Sequence, residues 1–148
     1  MKIRIPFLAT ILCSIAMFFT LGCSVQAKNP VLKNTKWVCV KEMFVADAGI
    51  GTDTYTIEFT SAKECTYTMS WYLPAHPAMY VNPNGKIDMI PASSSETVSK
   101  GKWQYRRGVL TITLEDGRER IFDYKEGKLV GLKKYDDGTD MVFEKSDE

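Results

Sequence analysis

From Thr35 onward the chain alternates apolar and polar residues with a period of two. Tyr55, Ile57 and Phe59 alternate with Thr54, Thr56, Glu58 and Thr60. Cys65, Tyr67, Met69 and Trp71 alternate with Thr66, Thr68 and Ser70. Strict alternation over this length predicts half-buried strands with one apolar face. Ser61-Ala62-Lys63 between them reads as a hairpin connection. The C-terminal half is more regular still: GKWQY, VLTITL, RERIFDY, KLVGLKKY and TDMVFEK are separated by turn signals at Arg107-Gly108, Glu115-Asp116-Gly117, Glu126-Gly127 and Asp136-Asp137-Gly138. Glycine supplies the positive φ that tight hairpin turns require. A turn every 9 to 11 residues predicts consecutive antiparallel strands in a meander. No stretch after residue 35 carries a helical period.

Between the two blocks lies LPAHPAMYVNPNGKIDMIPASSSE, with four of the six prolines. It predicts one or two short strands, around Ala78 to Val81 and Lys86 to Ile90, and otherwise loop. Such a segment is either a lid or an irregular crossover. An open meander of this length would expose two edges, and closure removes them. The expected fold is therefore all-β: an antiparallel up-and-down meander closed into a small barrel of about eight to ten strands. The interior of an eight-stranded barrel is either filled by side chains or holds one small ligand.

The N-terminus has a different pattern. Lys2 and Arg4 precede an uncharged, mostly apolar run from Phe7 to Leu21. That run is too short to span a bilayer and suits an export signal. Two exits compete. Cleavage before Cys23 leaves a cysteine for lipidation. Cleavage after Ala27 follows a Val25-Gln26-Ala27 small-residue site and releases a soluble chain. The preferred division is a signal over residues 1–22, a tether over 23–34 and a barrel domain over 35–148. The expected location is the bacterial cell envelope, lipid-anchored at Cys23 and facing the periplasm; the alternative is a soluble periplasmic protein.

Charge narrows the partners. The chain carries 19 Lys plus Arg against 18 Asp plus Glu. Removing Lys2 and Arg4 with the signal leaves a one-charge acidic excess and no basic face for nucleic acid. The expected partners are a small apolar ligand, the membrane through the lipid anchor, and an envelope protein.

Three segments carry a resemblance: Leu32-Lys33-Asn34-Thr35-Lys36-Trp37, Gly101-Lys102-Trp103-Gln104-Tyr105, and Asp137-Gly138-Thr139-Asp140-Met141-Val142-Phe143. Together they resemble the small lipocalin-like (calycin-type) barrels found as bacterial envelope lipoproteins. META-type and lysozyme-inhibitor lipoprotein barrels are similar to a lesser degree. The resemblance implies a first strand entered through Gly-x-Trp, with the Trp plugging the barrel floor. Trp37 matches, while Thr35 stands where Gly is expected.

Candidate chemistry is sparse. Cys39 and Cys65 are a candidate disulfide outside the cytoplasm, or two buried thiols. His76 is the only histidine and stands between Ala75 and Pro77 in the Pro-rich segment. It has no nucleophile or metal partner at a motif spacing, and reads as an exposed loop residue. The turn acids Asp116, Asp136, Asp137 and Asp140 read as turn-fixing groups. No catalytic residue, metal or cofactor is expected. Tyr55, Tyr67, Trp71, Trp103, Tyr105, Phe122 and Tyr124 are the candidate pocket wall, since ligand cavities are largely apolar and aromatic with a few polar tips. The expected function is a non-catalytic binding module holding a small apolar or amphipathic ligand in or at the mouth of the barrel. The alternative is an interaction, inhibitor or accessory lipoprotein with a solid barrel that acts through its loops.

Overall fold

The computed structural model describes residues 30–46 and 48–147. The expected signal, Cys23 and most of the tether lie outside the described residues. Ten strands follow in order: β1 (Thr35–Val45), β2 (Gly49–Phe59), β3 (Glu64–Leu73), β4 (His76–Val81), β5 (Ile87–Ile90), β6 (Ser93–Arg106), β7 (Val109–Leu114), β8 (Glu119–Lys125), β9 (Lys128–Gly131) and β10 (Val142–Ser146). Eight of them close an antiparallel barrel in the order β1-β10-β9-β8-β7-β6-β3-β2. The remaining two, β4 and β5, pair as a separate hairpin inserted between β3 and β6. The Pro-rich segment thus forms neither a lid nor a featureless crossover.

The turn chemistry has the expected backbone cause. Gly108, Gly117, Gly127 and Gly138 all have positive φ, and Arg107 and Glu126 share it at 52° and 51°. Two consecutive residues with positive φ, as in Arg107-Gly108 and Glu126-Gly127, match the right-handed twist of the flanking strands and set each hairpin's register. Arg106 accordingly pairs with Val109, and Lys125 with Lys128.

One strand departs from the expected pattern. β6 begins at Ser93, not at Gly101, so the Ser-rich segment is strand and not loop. Its first half pairs with β3 from Ser93 to Lys102, and its second half with β7 from Gly101 to Arg106. Gly101 stands at the change of partner. A Cβ there would lie 3.0 Å from the Thr113 carbonyl and 3.2 Å from the Ile112 and Leu114 side chains. The absence of a side chain lets two strands pass closely at this corner.

β1 pairs with β10 only from Lys36 to Val38 but with β2 along its whole length. The far halves of β1, β2 and β3, with the first half of β6, therefore project beyond the closed barrel as a four-stranded sheet. The core lies below it: Ile57, Phe59, Leu110, Ile112, Leu129 and Phe143 are fully enclosed. Leu32 joins them, so the packed domain starts three residues before its first strand.

Candidate functional site

One end of the barrel is closed. Trp37 opens β1 with 3 % of its surface exposed. Its ring meets Tyr124 edge-on at 6.3 Å, and Tyr124 in turn meets Tyr105 at 6.4 Å. The indole Nε1 of Trp37 donates to Thr35 Oγ1 at 2.9 Å, so the polar tip is satisfied within the plug. Thr35 also donates through Oγ1 to the Leu32 carbonyl at 2.5 Å, folding the incoming chain beneath the ring. The hydroxyl that replaces the family's glycine at this position thus serves both the plug and the tether. Phe59 and Trp103 pack edge-on at 5.3 Å nearby, and Trp103 Nε1 donates to the Ser61 carbonyl at 3.2 Å.

The other end is hollow. A cavity of about 370 Å³ lies between β2–β3 on one side and β8–β9 on the other, with the loop from Leu132 to Met141 across it. Of the candidate wall residues, Tyr55, Tyr67 and Phe122 line this cavity. Trp103, Tyr105 and Tyr124 do not; they belong to the floor described above. Trp71 does not line it either: it stands 39 % exposed on the projecting sheet. All seven were placed on one wall because period two assigns a face but not a height along the barrel. Height follows from strand stagger, which the alternation does not encode.

The cavity also contains groups that the pattern did not single out. Arg120 lies two residues before Phe122 on β8 and shares its inward face. Its register partner is Ile112, which is fully buried. The guanidinium carbon sits 5.7 Å from the centre of the Tyr67 ring. Asp53 lines the cavity from β2. Burial pushes the Tyr67 phenol up to about 12, partly opposed by Arg120. Burial, then the neighbouring Asp53, raises the Tyr55 phenol as well. Both hydroxyls therefore remain O–H donors at neutral pH.

The crossing loop is fastened by Tyr135. Its hydroxyl lies 3.1 Å from Cys39 Sγ, its ring meets Tyr55 at 5.9 Å, and the Lys41 ammonium stands 3.9 Å from its centre. Lys41 reaches past the ring to pair with Asp137 and to donate to Thr139 Oγ1 at 2.9 Å. Asp137 also accepts from the Thr139 backbone N–H at 2.9 Å, as Asp116 does from Arg118, so these acids fix their turns. The Lys41 ammonium and these hydrogen bonds hold the Asp137 carboxyl well below the usual carboxylate range.

The candidate disulfide is not formed: Cys39 and Cys65 are both free and buried. Register explains why. Phe59 faces both Thr35 and Cys65, so Cys65 lies four residues down the barrel from Cys39. At ~3.3 Å per residue that offset alone is about 13 Å, against the roughly 7 Å between Cα atoms that a disulfide tolerates. His76 starts β4 and sets its Nδ1 3.0 Å from the Pro74 carbonyl, so it is half-buried in a strand and not an exposed loop residue. No group of three or more His, Cys, Asp or Glu that could hold a metal occurs among the described residues.

A larger recess of about 630 Å³ lies on the outside at the Gly101 corner. Thr60, Glu64, Lys100, Lys102 and Glu115 line it, all exposed, and no aromatic side chain does. It is a solvated furrow between strands and offers no ligand an enclosed apolar wall. The projecting sheet and the β4–β5 hairpin form the other notable surface. Phe44 and Tyr80 are 81 % and 74 % exposed there, in company with Met79, Val81, Ile87 and Met89. No protein-family model, curated protein or solved structure matches this chain.

Proposed function

We propose that this chain is an envelope-tethered, non-catalytic binding module of lipocalin-like type, which holds a small apolar or amphipathic ligand at the barrel mouth. The observation that carries the reading is the mouth cavity: about 370 Å³, within the size range of small-molecule sites, with tyrosine hydroxyls and one guanidinium set among Phe122, Met69 and Met141. The opposite end is plugged by Trp37, so a ligand has one way in. The lipid anchor at Cys23 and a periplasm-facing location belong to the same proposal, and rest on the apolar run ending in Gly22-Cys23. A single acyl chain anchors only marginally, so the mature protein is expected to carry more than one.

Native mass spectrometry of the full-length gene product, purified from the membrane of its own cell, tests both parts. The expected spectrum shows an acylated Cys23 and an additional mass lost on unfolding. A mature chain beginning at Lys28 overturns the anchor, and a bare barrel that takes up no apolar compound overturns the ligand.

A second reading is favoured by the exposed apolar residues of the β4–β5 hairpin, which lies within the Pro-rich segment. Contiguous exposed apolar patches mark interaction surfaces. Under this reading the chain acts on another envelope protein through the hairpin. Replacing Met79, Tyr80 and Met89 with Ser would then abolish its cellular role and leave mouth binding unchanged.

A further inference from the structure

We propose that the mouth cavity selects a singly charged anionic amphiphile of carboxylate type, with the head seated on Arg120 and the apolar part against Met69, Phe122 and Met141. This deepens the ligand-binding reading above and rests on it.

Arg120 is the cation that the fold turns inward. Alternation along β8 puts it in phase with the buried Phe122, and its register partner Ile112 has no exposed surface. A charge placed in such a position needs a partner, because removal from water is costly unless charge or hydrogen bonds replace it. Elsewhere the chain follows this rule. Lys41, Arg118, Lys125, Lys128 and Lys134 each pair with a carboxylate. Arg120 pairs with none among the described residues. It donates through Nη1 to the Glu119 carbonyl at 3.3 Å, lies beside the Tyr67 ring and hydrogen-bonds the Tyr67 side chain. Those contacts orient the guanidinium and leave its charge uncompensated. Glu119 itself is exposed.

The surrounding groups narrow the anion. A guanidinium presents a planar fork that matches the two oxygens of a carboxylate. The protonated hydroxyls of Tyr67 and Tyr55 supply further donors from β2 and β3. Asp53 stands in the same lining and would repel a second negative charge, which disfavours a phosphate monoester dianion. The volume of about 370 Å³ limits the guest to a modest chain.

The test uses the full mature chain from residue 23 with Cys23→Ser, so that no acyl group competes. Calorimetric titration compares decanoate, decanol, decyl phosphate and decyltrimethylammonium. Decanoate is expected to bind about tenfold or more tightly than decanol, the return for one charge-assisted pair. Decyltrimethylammonium is expected to bind more weakly than either. Arg120→Met should erase the preference for decanoate and leave decanol binding intact, with Arg120→Lys in between. Equal binding of decanoate and decanol by the unsubstituted chain overturns this inference while the ligand reading stands. Tightest binding of decyl phosphate overturns the single-charge selection. Failure of all four overturns both readings. The comparison among the four compounds holds its meaning even if Arg120→Met does not fold.

Discussion

The thiol of Cys39 lies 3.1 Å from the hydroxyl of Tyr135, and this contact joins the barrel wall to the loop that crosses its mouth. The two residues are 96 positions apart in sequence. Cys39 is buried on β1, while Tyr135 belongs to no strand and is held by contacts alone: the Tyr55 ring, the Lys41 ammonium and the thiol. Burial, then the hydrogen bond to Cys39, pushes the Tyr135 phenol far up, so it stays protonated.

Tyr135 is therefore expected to shield Cys39. In a Cys65→Ala background, where Cys39 is the remaining thiol of the barrel, Tyr135→Ala should make Cys39 react markedly faster with a disulfide reagent. Tyr135→Phe keeps the ring and should alter the rate little, at a stability cost of about 1 kcal/mol for the lost hydrogen bond. If the two variants react alike, the ring does not cover the thiol.

Alkaline pH should unfold the protein through its buried acids. Burial raises the Cys65 thiol to about 11 and the Tyr67 phenol to about 12, from ordinary values of 9.0 and 10.0. Once the unfolded chain has lost a proton that the folded chain retains, stability falls with rising pH. The stability these neutral groups contribute is thus present below pH 9 and lost progressively from there to about 12. Urea midpoints measured from pH 7 to 11 should be level at first and then decline. Cys65→Ala should remove the earlier part of that decline. A midpoint unchanged to pH 11 would contradict the burial of both groups.

Much of the barrel was legible because hairpins are local. The alternation of Tyr55, Ile57 and Phe59 and the four turn glycines belong to consecutive strands whose register is set by the turns between them. Ser93 to Lys100 was not legible, because polar residues on both faces carry no period. That segment is a strand since β3 offers it a partner along its whole length. Likewise KLVGLKKY contains only the four-residue β9, because at Gly131 the backbone turns against Met141. The Gly131 N–H donates to the Met141 carbonyl at 2.8 Å, and the loop leaves across the mouth. In the site, Arg120 keeps perfect phase with Phe122 and Tyr124, yet a charged residue reads as solvent-facing until its partner strand is known. Tyr135 carries no periodic signal at all, being placed by contacts with β1 and β2.

Gly101→Ala tests the corner in β6. The added methyl would come within 3.0 Å of the Thr113 carbonyl, a backbone atom that cannot swing aside. Overpacking of this kind costs about 1–3 kcal/mol. Gly117→Ala is a useful contrast: nothing lies within 4 Å of its Cβ position, and its penalty would come from the positive φ of 83°. Circular dichroism should show the Gly101 variant still all-β, with a lower denaturant midpoint. An unchanged midpoint would mean that β6 and β7 can separate at no cost.

The three tryptophans should rank by their place in the barrel. Trp37 is enclosed, edge-on to Tyr124 and hydrogen-bonded to Thr35, at the end where Leu32 tucks under the first strand. Removing its ring would leave a hole that neighbours on β1, β8 and the incoming chain cannot close together. The expected cost of Trp37→Ala is about 3–5 kcal/mol, a large part of the stability of a domain this size. Trp103 also packs against Phe59 and donates to the Ser61 carbonyl, but it is only partly enclosed and should cost less. Trp71 is 39 % exposed on the projecting sheet, outside the closed core, and should cost least. Water already reaches its surface, so truncation forfeits little packing. Urea unfolding of the three alanine variants, followed by far-ultraviolet circular dichroism, gives the order directly. If Trp37→Ala is the mildest of the three, the closed floor cannot be what holds this end of the barrel, and the one-mouthed cavity above it loses its physical basis.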